Sequence, residues 1–196
     1  MKRPLRIHNL GQAKAVILHR PHPTVTALTR QLTAIGLSVE QVWPMLDASA
    51  LGADFVFFDA DMGHDDQFPW QPGQSPMPMI ALIGSEAPGR IEWMLDAGAH
   101  AQMLKPVGDN GAYATLLVAR AAFDAQAALS DEIAGLRRRL GERQTVIRAV
   151  TLLMRNGTEA EAYDRLRQMA MAWRITLEDA AARVVAGKDS DALRRG

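Results

Sequence analysis

Short apolar runs alternate with amphipathic stretches over the first 120 residues of the chain. The runs are apolar throughout, as expected for strands buried on both faces, and stretches of helical period separate them. Such alternation is typical of an α/β fold in which helices cover both faces of a parallel sheet. It predicts five strands, at 13–19, 37–42, 54–59, 78–83 and 101–104, and two helices, at 23–35 and 91–97.

The segment 65–77 interrupts this alternation between the third and fourth strands. It is rich in Pro, Gly and Gln, which predicts a loop or an irregular helix. Its Trp70 is a candidate contact for another protein, since aromatic residues are favoured at interfaces. The alternative is that Trp70 folds back into the core.

Residues 112–154 contain no proline, and from residue 129 onward apolar residues recur at alternating spacings of four and three. This pattern indicates one long helix that carries the seam of a coiled coil. The two interpretations are a dimeric coiled coil and a long helix that packs on its own domain. We favour the dimer, because such a helix is longer than the core of one small domain can cover. The predicted dimer seam consists of Leu129, Ile133, Leu136, Leu140 and Ile147.

Two helix starts follow in the C-terminal part of the chain. Thr158 and Glu161 have the spacing of a capping box, and Thr176 with Asp179 repeats it. They predict helices that run to about residues 171 and 185. The remaining residues, 186–196, are polar, and we expect them to fray. Together with the end of the long helix, these segments predict a small three-helix unit.

Composition narrows the functional classes. The chain has 196 residues and no cysteine, which excludes disulfides, thiolate metal sites and cysteine nucleophiles. No apolar run is long enough to span a membrane, and the N-terminus lacks the apolar stretch of a signal peptide. We therefore expect a cytoplasmic protein. No nucleophile motif, Gly-rich phosphate loop or metal-ligand spacing of the histidines points to an enzyme.

The net charge of zero conceals an uneven distribution of charge. Residues 136–155 contain six arginines and a single acidic residue, Glu142. A basic stripe on a neutral protein favours a confined anionic partner. A solvated helix face explains the stripe equally well.

Two segments of the first 120 residues resemble response-regulator receiver domains. DFVFFDADMG, residues 54–63, is similar to the third receiver strand, and DAGAHAQMLKP, residues 96–106, is similar to the stretch that leads to the receiver lysine. The resemblance implies a receiver-like (flavodoxin-like) fold. It also places Asp59 at the phosphoacceptor position and Lys105 in the role of the lysine.

The chemistry of phosphorylation conflicts with this resemblance. Aspartyl phosphorylation requires a divalent cation, and such a cation requires clustered oxygen ligands. Receivers supply them as an acidic pair after the first strand, where this chain has the sequence HRP, residues 19–21. The receiver hydroxyl at the end of strand four falls on Ile83. We therefore predict no metal site and a structural ion pair between Asp59 and Lys105; the alternative is a working phosphosite.

The sequence RQTVIRAVTLLM, residues 143–154, resembles the first helix of the ANTAR domain, an RNA-binding antitermination module. Downstream segments follow the second and third helices of that family. Val150 and Thr151 depart from the pattern, since the family usually has a lysine and a glycine there. The residues that match the first helix are Arg143, Val146, Ala149, Leu153 and Met154.

The ANTAR resemblance implies RNA contacts, and helical geometry supports them. Arg137, Arg148 and Arg155 fall within about 20° of one another on a helix, about a right angle from the seam. Guanidinium groups pair with phosphates and stack on unpaired bases. Trp173 either stacks on loop bases or caps the core of the three-helix unit. Ala149 either allows a nucleotide to approach closely or packs between helices. The predicted RNA-binding residues are Arg143, Arg148, Ala149, Arg155, Trp173 and Arg174.

The whole chain resembles antitermination regulators whose receiver has lost its metal. The predicted organisation is a receiver-like domain at 1–120, a coiled-coil linker helix at 121–142 and an ANTAR unit at 143–188. The resemblance implies a homodimer that binds stem-loops in nascent leader mRNA, prevents terminator formation and needs no cofactor. It also implies control by a ligand-sensing partner of the periplasmic-binding-protein fold. The alternatives are a regulator activated by phosphorylation of Asp59 and a dimerising scaffold that does not bind RNA.

Overall fold

The structure, a computed structural model, describes residues 10–154 and 157–193, with side chains through residue 187. The chain divides into two compact units, Met1–Ala127 and Ala128–Gly196. The first unit is an α/β domain and the second is helical, as the sequence predicts.

The first unit is built on a five-stranded parallel sheet. Its strands are β1 (Lys14–Leu18), β2 (Ser38–Val42), β3 (Phe55–Asp59), β4 (Met79–Ile83) and β5 (Ala101–Leu104). The strand order is β2-β1-β3-β4-β5, and each neighbouring pair is parallel. This is the flavodoxin-like order, so the predicted fold class is confirmed. In β3 and β4 every residue is buried, which explains why the two strands have no polar alternation.

The helices of the first unit are α1 (Pro23–Ile35), α2 (Pro88–Asp96) and the first turns of α3 (Ala112–Met154). Proline at the first turn favours both α1 and α2, because its fixed φ is already helical and its missing N–H has no partner there. α2 therefore begins three residues before the predicted start at residue 91. α1 ends as predicted at Gly36, whose φ of 101° suits only a residue without a Cβ.

Helices cover one face of the sheet, whereas a helix and a loop cover the other. On the first face, Ile17 and Phe57 pack with Leu28 of α1 and Leu116 of α3. On the second face, the sheet packs against α2 and the segment 65–77. That segment contains a 3-10 turn at Asp65–Gln67 and is otherwise irregular, as predicted. The residues that form this second core include Val16, Leu18, Val56, Phe58 and Met94, with Phe68 and Trp70 packed against them.

The second unit contains the end of α3 with α4 (Glu159–Trp173) and α5 (Leu177–Leu193). The capping box of α4 is confirmed, because the Thr158 N–H donates to Glu161 and the Glu161 N–H donates to Thr158 Oγ1. The core of this unit is rich in alanine, which lets the helices approach closely. It is formed by Ala149, Val150, Ala162, Leu166, Ala170, Ala180 and Ala181.

The prediction that the chain frays from residue 186 is wrong for residues 186–193, which continue α5. Once a helix exists, each further residue adds a backbone hydrogen bond at little cost, so a polar stretch without proline does not end it. Polarity of the sequence therefore did not mark the helix end.

Candidate functional sites

Asp59 lies at the carboxyl end of β3 with its side chain 2% exposed. Lys105, which follows β5, donates from Nζ to Asp59 Oδ1 at 2.7 Å. The backbone N–H of Asp61 donates to the same oxygen at 3.1 Å. A buried carboxylate is costly unless it is paired and hydrogen-bonded, and these donors supply both conditions for Asp59. The structure thus brings together the two residues that the receiver resemblance pairs.

His19 occupies the place of the receiver acids, directly after β1, and its side chain is 2% exposed. Its Nδ1 lies 2.7 Å from the Arg20 carbonyl oxygen, which only accepts, so Nδ1 carries a proton. Its Nε2 lies 3.2 Å from Asp59 Oδ2 but is not aligned for a hydrogen bond. The second oxygen of Asp59 therefore faces a ring nitrogen rather than another carboxylate.

Asp61, two residues after Asp59, is a part of the site that sequence reasoning missed. Asp61 Oδ2 accepts the Gly84 N–H at 2.8 Å, and Oδ1 accepts the Ser85 N–H at 2.9 Å. Lys105 Nζ lies 2.5 Å from Asp61 Oδ2. Burial acts to raise the pKa of Asp61, but the hydrogen bonds from Lys105, Ser85 and Gly84 outweigh it and lower this pKa below the usual value. The sequence carried no signal for this role beyond an acid near Asp59.

The donor set around Asp59 does not fit the divalent cation that receivers use. Such cations require several oxygen ligands. Here the ammonium of Lys105 contacts both Asp59 and Asp61, and a histidine stands where a further carboxylate is needed. Within residues 10–154 and 157–187, no three His, Cys, Asp or Glu side chains gather as metal ligands.

A cavity of about 540 Å³ lies beside α2, lined by aromatic and acidic residues. Trp70 stacks on Phe68 with ring centroids 5.7 Å apart, and both rings pack on the sheet. Trp93 lines the same cavity and donates from Nε1 to Asp65 Oδ1 at 2.7 Å. Trp70 is only partly exposed, which supports the alternative that it folds back onto the core.

The predicted dimer seam is an exposed apolar stripe on α3. Its five side chains are between 40% and 66% exposed, although they are large and apolar. Val150, which continues the same spacing, is instead buried in the core of the three-helix unit. The members of the exposed stripe are Leu129, Ile133, Leu136, Leu140 and Ile147.

The arginines predicted to bind RNA lie on the outside of the second unit. Arg143 and Arg148 are exposed, and Arg155 lies outside the described residues. Trp173 is 43% exposed, and the guanidinium of Arg183 lies 5.6 Å from the centre of its ring. Arg174 follows α4 in a left-handed conformation and is exposed.

The predicted RNA contact of Ala149 is corrected by the structure. It is fully buried in the alanine-rich core, so no nucleotide reaches it, and the packing alternative explains the small residue. The second unit also has a cleft of about 560 Å³, and sequence reasoning missed two of its residues, Arg139 and Tyr163. Arg143 also lines this cleft, together with Glu142 and Glu178, so guanidinium groups, carboxylates and a phenol ring share one opening. The basic stripe predicted Arg139 only as one of several arginines.

The first unit has a receiver-like sheet whose carboxyl edge does not suit a divalent cation, and the second is a three-helix unit with exposed arginines. Residues 13–120 match the family described as AmiR, N-terminal, and residues 134–185 match the ANTAR domain. The first match covers more than half of the chain, which therefore belongs to this family. With its ANTAR domain, the chain is an RNA-binding antitermination regulator, similar to the amidase-operon antitermination regulator. Both families are regulatory rather than enzymatic.

Three solved structures are among those to which the chain is similar. The Rec1 domain of ShkA in complex with c-di-GMP is 22% identical, with a TM-score of 0.43, and the match covers 56% of this chain and 93% of that chain. Full-length FixJ from B. japonicum is 20% identical over 90% of this chain and 89% of that chain, with a TM-score of 0.44. The chemotaxis response regulator CheY4 of Vibrio cholerae is 20% identical over 54% and 93%, with a TM-score of 0.39. No curated protein matches the chain.

Within the described residues, none of the helices combines the length and the apolar character needed to cross a lipid bilayer.

Proposed function

We propose that this chain is a homodimeric transcription antiterminator that binds stem-loops in nascent leader mRNA and is controlled by a protein partner rather than by phosphorylation. The observation that carries the proposal is the juxtaposition on α3 of exposed arginines and an exposed apolar stripe, which begins just before the segment that matches the ANTAR domain and continues into it. In this proposal the stripe mediates dimerisation, and the arginines bind the RNA.

Pairing follows from the exposed stripe. Heptad-spaced aliphatic side chains are stable in water only when a second helix covers them. A second copy of this chain presents the same stripe at the same spacing, which makes a symmetric interface. Two RNA-binding units in one dimer raise the avidity for paired stem-loops without new contacts.

RNA binding is supported by the positions of the arginines relative to the stripe. Arg137 and Arg148 are exposed and lie about a right angle from the stripe on α3, so pairing leaves both accessible. The cleft with Arg139, Arg143 and Tyr163 also contains Ile147 of the stripe, so pairing covers part of it and the proposal rests on Arg137 and Arg148. Bound protein then favours one RNA fold over the terminator hairpin.

Control by a partner is supported by the donor set around Asp59, which lacks the ligands for the cation that phosphorylation needs. We propose a ligand-sensing protein of the periplasmic-binding-protein fold as this partner. A regulator that is phosphorylated on Asp59 and a scaffold without RNA binding are the competing functions. Incubation with acetyl phosphate and Mg²⁺ tests the first, because stoichiometric labelling of Asp59 would contradict our proposal.

The test of RNA binding replaces Arg137 and Arg148 with alanine. We expect the double variant to bind a leader stem-loop about tenfold or more weakly and to lower the slope of log affinity against log salt by about 2, since each lost phosphate contact removes about one unit. The control is the same double change at Arg20 and Arg30, exposed residues of the first unit. Equal affinity of both variants would contradict the assignment of this face, and absence of any binding by the wild type would favour the scaffold.

A further inference from the structure

Three hydrogen-bond donors converge at the carboxyl edge of the sheet, and the carboxylate of Asp61 accepts from all three. The donors are the backbone N–H groups of Gly84 and Ser85, directly after β4, and Nζ of Lys105, after β5. Both oxygens of Asp61 are engaged, one by Ser85 and the other by Gly84 and Lys105. The Asp61 side chain is 22% exposed, so its charge is mostly withdrawn from water.

Two successive backbone N–H groups beside an ammonium form an oxyanion-binding site. Such donors are fixed in direction, and their hydrogen bonds to a charged acceptor are stronger than those to a neutral one. Lys105 Nζ simultaneously contacts Asp59 Oδ1 at 2.7 Å. The Asp61 carboxylate therefore stands next to Asp59, between the lysine and the loop after β4, where an oxyanion attached to Asp59 would meet these donors.

Gly84 shows that the site is shaped around this carboxylate. A Cβ at residue 84 would lie 2.7 Å from Asp61 Oδ2 and 3.3 Å from Lys105 Cε. The first distance is shorter than any normal contact, so only glycine lets the backbone approach the carboxylate this closely. The identities of Asp61, Gly84 and Lys105 therefore all fit a carboxylate held at this position.

We propose that Asp61 is a built-in anion that permanently fills the oxyanion site of the receiver-like domain, fixes the loop after β4 and excludes phosphate from the site. The lowered pKa of Asp61 is consistent with a carboxylate that stays charged in this position. The inference deepens the proposed control without phosphorylation and rests on it, because a filled site gives the loop its ordered state with no modification. It does not depend on RNA binding.

The experiment titrates the full-length protein with inorganic phosphate while the amide NMR signals of Gly84 and Ser85 are followed. In the wild type we expect no saturable movement of these signals. In Asp61→Ala the vacated site binds phosphate, and both signals move saturably. Adding Lys105→Ala to Asp61→Ala weakens phosphate binding at least tenfold, because the ammonium is lost. Asp66→Ala, a matched change at an exposed acid, retains the wild-type response.

Asp61→Asn guards against misfolding of the alanine variant, because it preserves size while removing charge. In this variant the Gly84 and Ser85 amide signals shift toward those of weaker hydrogen bonds, and they no longer follow protonation at acidic pH as they do in the wild type. Phosphate binding by the wild type as tight as that by Asp61→Ala overturns the proposal. Unmoved Gly84 and Ser85 signals in a folded Asp61 variant also overturn it. RNA affinity is measured separately, so loss of RNA binding alone addresses the proposed function and leaves this inference intact.

Discussion

Among the described residues, Lys105 supplies the one opposite charge in direct hydrogen-bond contact with the buried Asp59 carboxylate. Removal of one partner from a buried ion pair leaves an uncompensated charge, which costs far more than the pair itself contributes. Lys105 forms ion pairs with both Asp59 and Asp61, so both carboxylates depend on a single ammonium group.

Lys105→Met is expected to destabilise the folded chain by about 3–5 kcal/mol, because it strands the buried Asp59 carboxylate. Urea unfolding measures the loss, and Lys105→Met combined with Asp59→Asn recovers part of it. The matched control is Lys14→Met, which breaks the exposed ion pair with Glu40 and costs less than about 1 kcal/mol. Equal effects of the two single changes would show that Asp59 is not electrostatically dependent on Lys105.

His100 makes the stability of the first unit depend on pH. Its Nδ1 accepts the Met79 N–H at 3.1 Å, which requires a neutral ring. Burial lowers the pKa of His100, and a hydrogen bond with Gln126 offsets only part of this effect. Because the folded protein binds this proton less readily than the unfolded chain, stability is full above the unfolded pKa of about 6.5 and decreases as the pH falls below it.

His100→Gln is therefore expected to remove part of the loss of stability between about pH 7.5 and about pH 5.5. Urea unfolding of the wild type and the variant at both pH values measures the difference. His22→Gln, at an N-terminal helix cap, is the comparison for a change of another histidine. An identical pH dependence in the wild type and His100→Gln would rule out His100 as its source.

At the scale of elements, hydrophobic patterns predicted the five strands and α1 to α3, and capping-box spacing predicted α4 and α5, whereas the 3-10 helix at Ala48–Gly52 was not predicted. α1 was predicted to the residue, because Pro23 and Gly36 mark its two ends. α5 was predicted too short, since nothing in residues 186–193 marks a stop. Segment 65–77 was predicted as irregular from its Pro and Gly content, whereas its packing on the sheet depends on contacts that no local pattern records.

The capping box of α4 permits a direct test of an element boundary. Thr158→Ala removes the side-chain acceptor for the Glu161 N–H, which leaves a helical donor without its partner. We expect a loss of about 0.5–2 kcal/mol in the stability of the second unit, measured by denaturant unfolding. Glu161→Gln, which keeps the reach back to the Thr158 N–H, serves as the control and costs less. Equal costs would mean that the hydroxyl does not cap the helix.

The sites were predictable only where a single residue carries the signal. Asp59 and Lys105 resemble receiver positions one by one, so their pairing was predicted. Asp61, Gly84 and Ser85 come from separate segments, and only the fold brings them together. Ala149 was misassigned because a small residue suits both a ligand and a tight helix contact, and its burial separates the two.

At the scale of the whole molecule, the exposed stripe on α3 predicts the oligomeric state. Leu136→Glu places a charge in the middle of the seam, where pairing would bury it against its own copy. We expect sedimentation to show a monomer and the affinity for paired stem-loops to fall about 100-fold, the scale of a lost avidity effect. Leu95→Glu, at an equally exposed leucine of α2, leaves the dimer intact. A dimeric Leu136→Glu variant would contradict the seam.

The bare aliphatic stripe also sets how the regulator responds to its own abundance. If two copies must meet before either is active, the amount of active dimer at low copy number rises with the square of the total, by mass action. A cell that halves production of this chain then loses about three quarters of its active form in that regime. For the proposed dimer, gene dosage is in this way a control on transcription that requires no inducer at all.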